Sequence, residues 1–140
     1  MRKNLRAGLI GIGSIGRHHA RVLASLPGVD FVGVSDPAGD THKVAQGRPV
    51  FNSISELIAV GIDYAIVAVP TIYHLEVGVE LATAGIHAMV EKPISYDTVT
   101  SKALAKAFDN AGLVGCPISM GPGNPGWRPL GQIQKPVERC

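Results

Sequence analysis

The run Gly11-Ile12-Gly13-Ser14-Ile15-Gly16 restricts the folds open to this chain more than any other feature. A compact apolar run, residues 6–12, leads into it, and a stretch of helical spacing, residues 15–26, leads out. Three glycines so placed fit a turn from strand to helix. Gly11 permits the tight turn, Gly16 lets helix and strand pack closely, and Gly13 leaves the backbone open to an approaching group. On the helix, Ile15, Val22, Leu23 and Leu26 fall on one side, with Arg17 and Arg21 on the other. Pro27-Gly28 ends it, and residues 31–35 form a second apolar run with Asp36 at its tip.

The same alternation continues down the chain. Residues 41–46 read as a turn or two of helix, and 50–51 as a short strand. Residues 55–60 read as a brief helix capped by Ser53 or Ser55. Residues 64–69 (Tyr-Ala-Ile-Val-Ala-Val) carry the strongest strand signal, ended by Pro70. A helix over 75–84 closes at Gly85, where a C-cap glycine belongs. Residues 88–90 form the next strand, running into Glu91-Lys92-Pro93. A helix over 99–110 follows, capped by Asp97 or Thr98 and closed by Gly112, and residues 113–116 begin a sixth strand. Strands alternating with helices predict an α/β fold, a Rossmann-type doubly wound parallel sheet of five or six strands. The composition agrees: 46 % of residues are hydrophobic but only 5 % aromatic, which suits the aliphatic interior of a sheet buried on both faces.

Near residue 117 the composition changes. Residues 1–116 hold ten basic and ten acidic side chains, whereas 117–140 hold five of the ten prolines, four glycines and one acid, Glu138. Proline at that density stops helices and interior strands. Two regions are therefore expected: a dinucleotide-binding domain over 1–116 and an irregular proline- and glycine-rich tail over 117–140.

The bulk charge excludes some partners. A formal net charge of +2 is too small to argue for nucleic acid or an anionic membrane surface. No segment reaches about 18 uninterrupted apolar residues, so no membrane span is expected. Met1-Arg2-Lys3 leads into only a short apolar run broken by glycines, so no signal peptide is read and a cytoplasmic location is expected. Neither Cys116 nor Cys140 has a ligand-spaced neighbour. His18 and His19, adjacent on a helix, point about 100° apart. No metal site is expected, and one of the two histidines is expected to pack against a neighbouring segment.

The candidate binding residues all follow strands. Backbone amides at the start of the first helix, with the positive end of its dipole, suit the pyrophosphate of a dinucleotide in the 11–16 loop. Asp36 lies 20 residues past Gly16, where a carboxylate accepts ribose hydroxyls. Its charge would repel a 2′-phosphate. No arginine follows closely, since Pro37-Ala38-Gly39 comes next and Lys43 is the first cation, so NAD is expected over NADP. Pro70-Thr71-Ile72-Tyr73-His74 follows the third long strand, and Glu91-Lys92-Pro93 the next. In a doubly wound sheet, ligands bind off the carboxyl ends of the strands. Four strand ends that each carry polar or turn residues converge there.

With these residues in hand, the chain resembles the nucleotide-binding half of the glucose-fructose oxidoreductase, inositol dehydrogenase and rhizopine-catabolism family. The resemblance covers residues 5–116 and rests on the three glycines, Asp36, Pro70-Thr71-x-x-His74 and, most specifically, His87-Ala-Met-Val-Glu91-Lys92-Pro93. It implies that Lys92 lies near the nicotinamide and the reacting hydroxyl and assists proton transfer. It implies a cis peptide at Pro93, and a Glu91 that contacts the nicotinamide ribose or positions the lysine. Thr71 and His74 would line the cofactor cleft, His74 having a competing role as a helix-start residue that caps or packs. The implied activity is NAD-dependent hydride transfer to or from a secondary alcohol of a sugar, cyclitol or sugar nucleotide.

The resemblance also implies a second, substrate-binding domain with an aspartate and a histidine. The tail after Cys116 resembles no part of it, and the last histidine is His87. One expectation is a tail read in a shifted frame, leaving a truncated product. Its rival is a natural short protein that binds or senses NAD through a partner. Sugar or polyol turnover is expected only if a substrate domain is supplied, and the sheet edge near 113–116 is a candidate for self-association.

Overall fold

The computed structural model of the chain describes residues 3–118. The tail expected to be irregular lies, from residue 119 onward, outside the described residues. Six strands, β1 (Leu5–Ile10), β2 (Val29–Ser35), β3 (Val50–Phe51), β4 (Tyr64–Val67), β5 (His87–Val90) and β6 (Gly115–Pro117), form one sheet in the order β3-β2-β1-β4-β5-β6. Every pairing is parallel. Between them run α1 (Gly16–Ser25), α2 (Ile54–Ala59), a single 3-10 turn (Thr71–Tyr73) continuing into α3 (His74–Thr83), and α4 (Thr98–Asn110). The strand order reverses beside β1, between its neighbours β2 and β4. That is the doubly wound arrangement expected from the alternation, and its switch point is where such sheets take ligands.

The period of two along each strand explains how both faces are apolar. Ala7 and Leu9 of β1, with Tyr64 and Ile66 of β4, join Ala20 and Leu23 of α1 in one core layer. The alternate residues Ile10, Ala65 and Val67 turn to the other face and meet Leu57, Val77, Leu81, Leu104 and Phe108 from α2, α3 and α4. Leu23, Leu57 and Leu81 are no more than 1 % exposed, and each such burial contributes about 1.5–3 kcal/mol. Helices α3 and α4 pack closely because Gly78 leaves room for Leu104, whose Cδ1 would collide with any Cβ there.

Two sequence expectations fail for clear reasons. Of the apolar side assigned to α1, only Leu23 is buried; Ile15, Val22 and Leu26 are 49 %, 46 % and 43 % exposed. The buried stripe is Gly16, Ala20 and Leu23, spaced i, i+4, i+7. A helix lying this close to its strand selects by size, so small residues face the sheet and larger apolar ones flank it. The second failure is the helix over 41–46. Asp40 intercepts its first donors, Oδ1 and Oδ2 accepting the amides of Val44 and Ala45 at 2.8 Å each. Side chains that bond nearby backbone in this way compete with the helical ladder. Lys43 and Gln46 take positive φ of 54° and 55°, and the segment is a series of turns.

Of the alternative caps, the structure uses Ser53, whose Oγ accepts the Glu56 amide at 3.3 Å. It likewise uses Asp97, whose Oδ1 accepts the Thr100 amide at 2.7 Å. In the Ser53 turn the Glu56 carboxylate reaches back to the Asn52 amide at 3.0 Å, a near relative of the capping box.

Candidate dinucleotide site

At the end of β1 the chain turns sharply. Gly11 has φ of 89°, donates its amide to Ser35 O at 2.9 Å, and lies so close to β4 that a Cβ would sit 2.7 Å from Ala68 O. Only glycine meets both demands. At Gly16 a Cβ would collide with the carbonyl oxygen of Gly11, so these two glycines lock against each other. Gly13 differs: a Cβ there would meet nothing within 4 Å, and its φ is outside the left-handed region. Its lack of a side chain serves no contact within the described protein. Space over that backbone is what a close-approaching phosphate requires.

Helix α1 opens beside this space with no side-chain cap and no acidic residue in its first turn. Gly13, Ser14 and Ile15 are exposed there. The start of a ten-residue helix therefore presents amides and a positive dipole end with no acidic side chain in its own first turn to neutralise them. From β2, Asp36 closes over the loop. Its Oδ2 accepts the Ile12 amide at 3.0 Å and its Oδ1 the Ala38 amide at 2.9 Å. A carboxylate has about four lone-pair sites, so each oxygen keeps capacity for a further donor such as a ribose hydroxyl. Three-glycine loop, helix start and acid fit a dinucleotide as a set.

Beyond β4, Pro70 leads into the 3-10 turn, and Thr71 is half-buried in it. His74 is 1 % exposed, its Nδ1 lying 2.9 Å from Ile94 O and its Nε2 2.9 Å from Val69 O. Both ring nitrogens thus face carbonyl oxygens beneath the turn, the packing role that sequence had left open against a cleft-lining one.

Beyond β5, the Glu91 amide continues the ladder to Val67 O at 3.0 Å. Its carboxylate divides its oxygens: Oε1 meets His19 Nε2 on α1, and Oε2 accepts the Lys92 amide at 3.2 Å. The Lys92–Pro93 peptide is cis, and both residues are exposed at the strand end. His19 is the site residue whose place sequence reasoning did not find. It was expected only to be one of a pair, of which one packs against a neighbour. Its position three residues past Gly16, one helical turn along, puts it beside the loop and was the available signal.

The chain matches known proteins in sequence and in fold. Residues 5–117 match the model of the family described as "Oxidoreductase family, NAD-binding Rossmann fold", designated GFO_IDH_MocA. The chain is 29 % identical over 120 residues to scyllo-inositol 2-dehydrogenase (NAD(+)) of Bacillus subtilis, covering 81 % of this chain and 35 % of that protein. It is 33 % identical over 104 residues to UDP-N-acetylglucosamine 3-dehydrogenase of Acidithiobacillus ferrooxidans, covering 72 % and 32 %. Among solved structures, the WlbA dehydrogenase of Bordetella pertussis in complex with NADH and UDP-GlcNAcA superposes with a TM-score of 0.75. It is 30 % identical, over 83 % of this chain and 35 % of that one. The chain thus spans about a third of the length of the curated relatives it matches. Among the described residues no helix is long and apolar enough to cross a membrane. By the match of the family model over residues 5–117, the chain belongs to the Gfo/Idh/MocA oxidoreductase family as its NAD-binding Rossmann domain.

Proposed function

We propose that this chain is the NAD-binding unit of a dehydrogenase acting on a secondary alcohol of a sugar, cyclitol or sugar nucleotide. The observation that carries the reading is the gathering, at one edge of the sheet, of an open Gly13, an uncapped α1 start, Asp36 and the exposed Lys92. Amides of the glycine loop and α1 hold the pyrophosphate, and Asp36 accepts ribose hydroxyls while excluding a 2′-phosphate. The nicotinamide, when bound, supplies the hydride acceptor or donor. Lys92 hydrogen-bonds the reacting oxygen and takes its proton as the carbonyl forms, or returns it in reduction. Thr71 and Pro70 shape the neighbouring wall, and Glu91 acts through its hold on the Lys92 amide.

The relatives act on inositol and UDP-sugars, which motivates the substrate class. Self-association is a further part of the proposal. Among the described residues β6 stands last in the sheet order, and a strand in that position is where a second copy would add on.

Titration of the chain with NADH and NADPH, followed by cofactor fluorescence, tests the reading. Saturable binding of NADH, tighter than of NADPH, is expected; absence of NADH binding overturns it. Adding a relative's substrate domain and assaying polyols then separates an enzyme half from a cofactor-sensing module, which would bind without turnover. Sedimentation at several concentrations tests self-association, and a monomer at all of them removes that part.

A further inference from the structure

Two imidazoles reach the short segment that carries Lys92, and they come from different elements. His19 stands on α1, one turn past Gly16, and its Nε2 meets Glu91 Oε1. The two side chains are only 18 % and 13 % exposed, so water competes little for the contact and a charge-assisted bond there is strengthened. The other Glu91 oxygen accepts the Lys92 amide. At the far end of the segment, the ring of His74 from the start of α3 lies between two carbonyl oxygens, Nδ1 2.9 Å from Ile94 O and Nε2 2.9 Å from Val69 O. The segment 91–94 is thus tied at its first residue to the helix of the glycine loop, and at its last to the turn after β4.

We propose that His19 and His74 are positioning residues for Lys92, bracing its turn against α1 and against the β4–α3 turn. The inference rests on the role given to Lys92 above. A lysine ammonium sits at the end of four flexible carbons, so its reach is set by where the backbone holds its Cα. A misplacement of about 1 Å costs on the order of a hundredfold in rate when proton and hydride must move together. Neither histidine touches the reacting atoms in this scheme; each acts through the backbone or through Glu91. Simple space-filling is the competing explanation, and it differs in one respect. Filling depends on volume, whereas bracing depends on an N–H at the Nε2 position of residue 19.

The test uses the full chain with lysines carrying ¹³C-dimethyl labels, the Lys92 signal being identified by its loss in Lys92→Arg. Without cofactor, His19→Leu should move the Lys92 methyl signal toward that of an unrestrained lysine. It should also speed exchange of the Lys92 amide about tenfold, the loss of one such hydrogen bond. His19→Gln keeps a donor at the matching position and should restore both readouts. Exchange at Gly11 and Gly13 should stay as in the wild type throughout. His74→Leu should act like His19→Leu, and His74→Asn, which keeps a donor toward Ile94, should be milder. Residue 74 is fully buried and His74→Leu can fail to fold, in which case the His19 pair carries the decision.

Added NADH should then shift the Lys92 signal in wild type and His19→Gln, and shift it less in His19→Leu at comparable affinity. A Lys92 signal and exchange rate in His19→Leu equal to wild type, or Leu and Gln variants that behave alike, overturn the proposal. A wild-type chain that fails to bind NADH overturns the proposed function instead, and the cofactor-free spectra still decide the brace.

Discussion

Gly13 and Gly16 should respond to the same substitution in opposite ways, because one glycine faces the protein and the other faces open space. In Gly16→Ala the new methyl collides with the Gly11 carbonyl oxygen. The loop has little room to retreat, since Gly11 is bonded to Ser35 O and pressed against Ala68 O. Overpacking of this kind costs about 1–3 kcal/mol, and the smaller entropy of an alanine chain when unfolded returns about 0.4–1 kcal/mol. The net loss is about 1–2 kcal/mol, a fall in Tm of roughly 4–8 °C at about 4 °C per kcal/mol for a domain of this size. In Gly13→Ala the methyl meets nothing and the backbone needs no left-handed φ. Only the entropy gain remains, so the cofactor-free protein should melt about 2–4 °C higher. Its methyl occupies the space assigned to phosphate, and NADH affinity should drop at least tenfold, about 1.4 kcal/mol. Scanning calorimetry without cofactor and NADH titration by fluorescence give the two quantities for each variant. A Gly13→Ala protein that binds NADH as tightly as wild type refutes the assignment of that space to the cofactor. A Gly16→Ala protein of unchanged Tm refutes the steric account of the turn.

Other perturbations address the acid, the core and the pH range. Asp36→Asn keeps an acceptor for one loop amide but removes the charge facing a 2′-phosphate. The preference for NADH over NADPH should fall by about tenfold, and parallel titrations that show an unchanged ratio would contradict the proposed exclusion. Leu81→Ala, at a position 0 % exposed between α3 and the sheet, should cost about 2–5 kcal/mol and lower the urea midpoint by about 1 M or more. A loss under about 1 kcal/mol would mean that α3 does not close over the sheet as described. Burial pushes the Tyr64 phenol up from 10.0 to about 12. The folded state favours its neutral form, so that contribution to stability is whole below pH 10 and is lost as pH rises through about 12. Alkaline unfolding curves followed by tyrosinate absorbance should show Tyr64 ionising together with the unfolding transition.

The parts of the fold that sequence revealed are those where one local property decides. Short continuous apolar runs such as 64–67, bounded by turn residues, fit strands covered on both faces, and the sheet does cover them with α1 on one side and α3 and α4 on the other. Gly85 and Gly112 mark helix ends, where positive φ of 78° and 67° is needed. Asp36 sits at a strand tip at a fixed distance from the glycine loop, so its approach to the Ile12 amide follows from topology. The inward face of α1 was misread because hydrophobicity was the criterion and the close helix–strand contact at Gly16 and Ala20 made size the deciding property. The turn at 41–46 was misread because its apolar and polar spacing allowed a helix, while one carboxylate, Asp40, had a shorter route to the same amides.

The site divides along the same line. Gly11, Gly13, Gly16, Asp36 and Lys92 are recognisable because backbone shape or charge is needed at a strand end, and a strand end can be located from the sequence. The links among those ends are not local. His19 and Glu91 are separated by 72 residues, and their contact exists only because β1 and β5 flank β4 and bring α1 over toward the end of β5. His74 and Ile94 are separated by 20, joined under a turn whose helix start had to be fixed first. A histidine's identity says that it can donate, accept or carry charge, and nothing in its neighbours in sequence says to what. For this reason His19, from a pair of which one was expected to pack against a neighbour, and His74, with cleft-lining and packing roles both open, are better understood through their partners. Both partners lie in the segment that presents Lys92, so the chemistry visible in the sequence depends on contacts that only the folded sheet supplies.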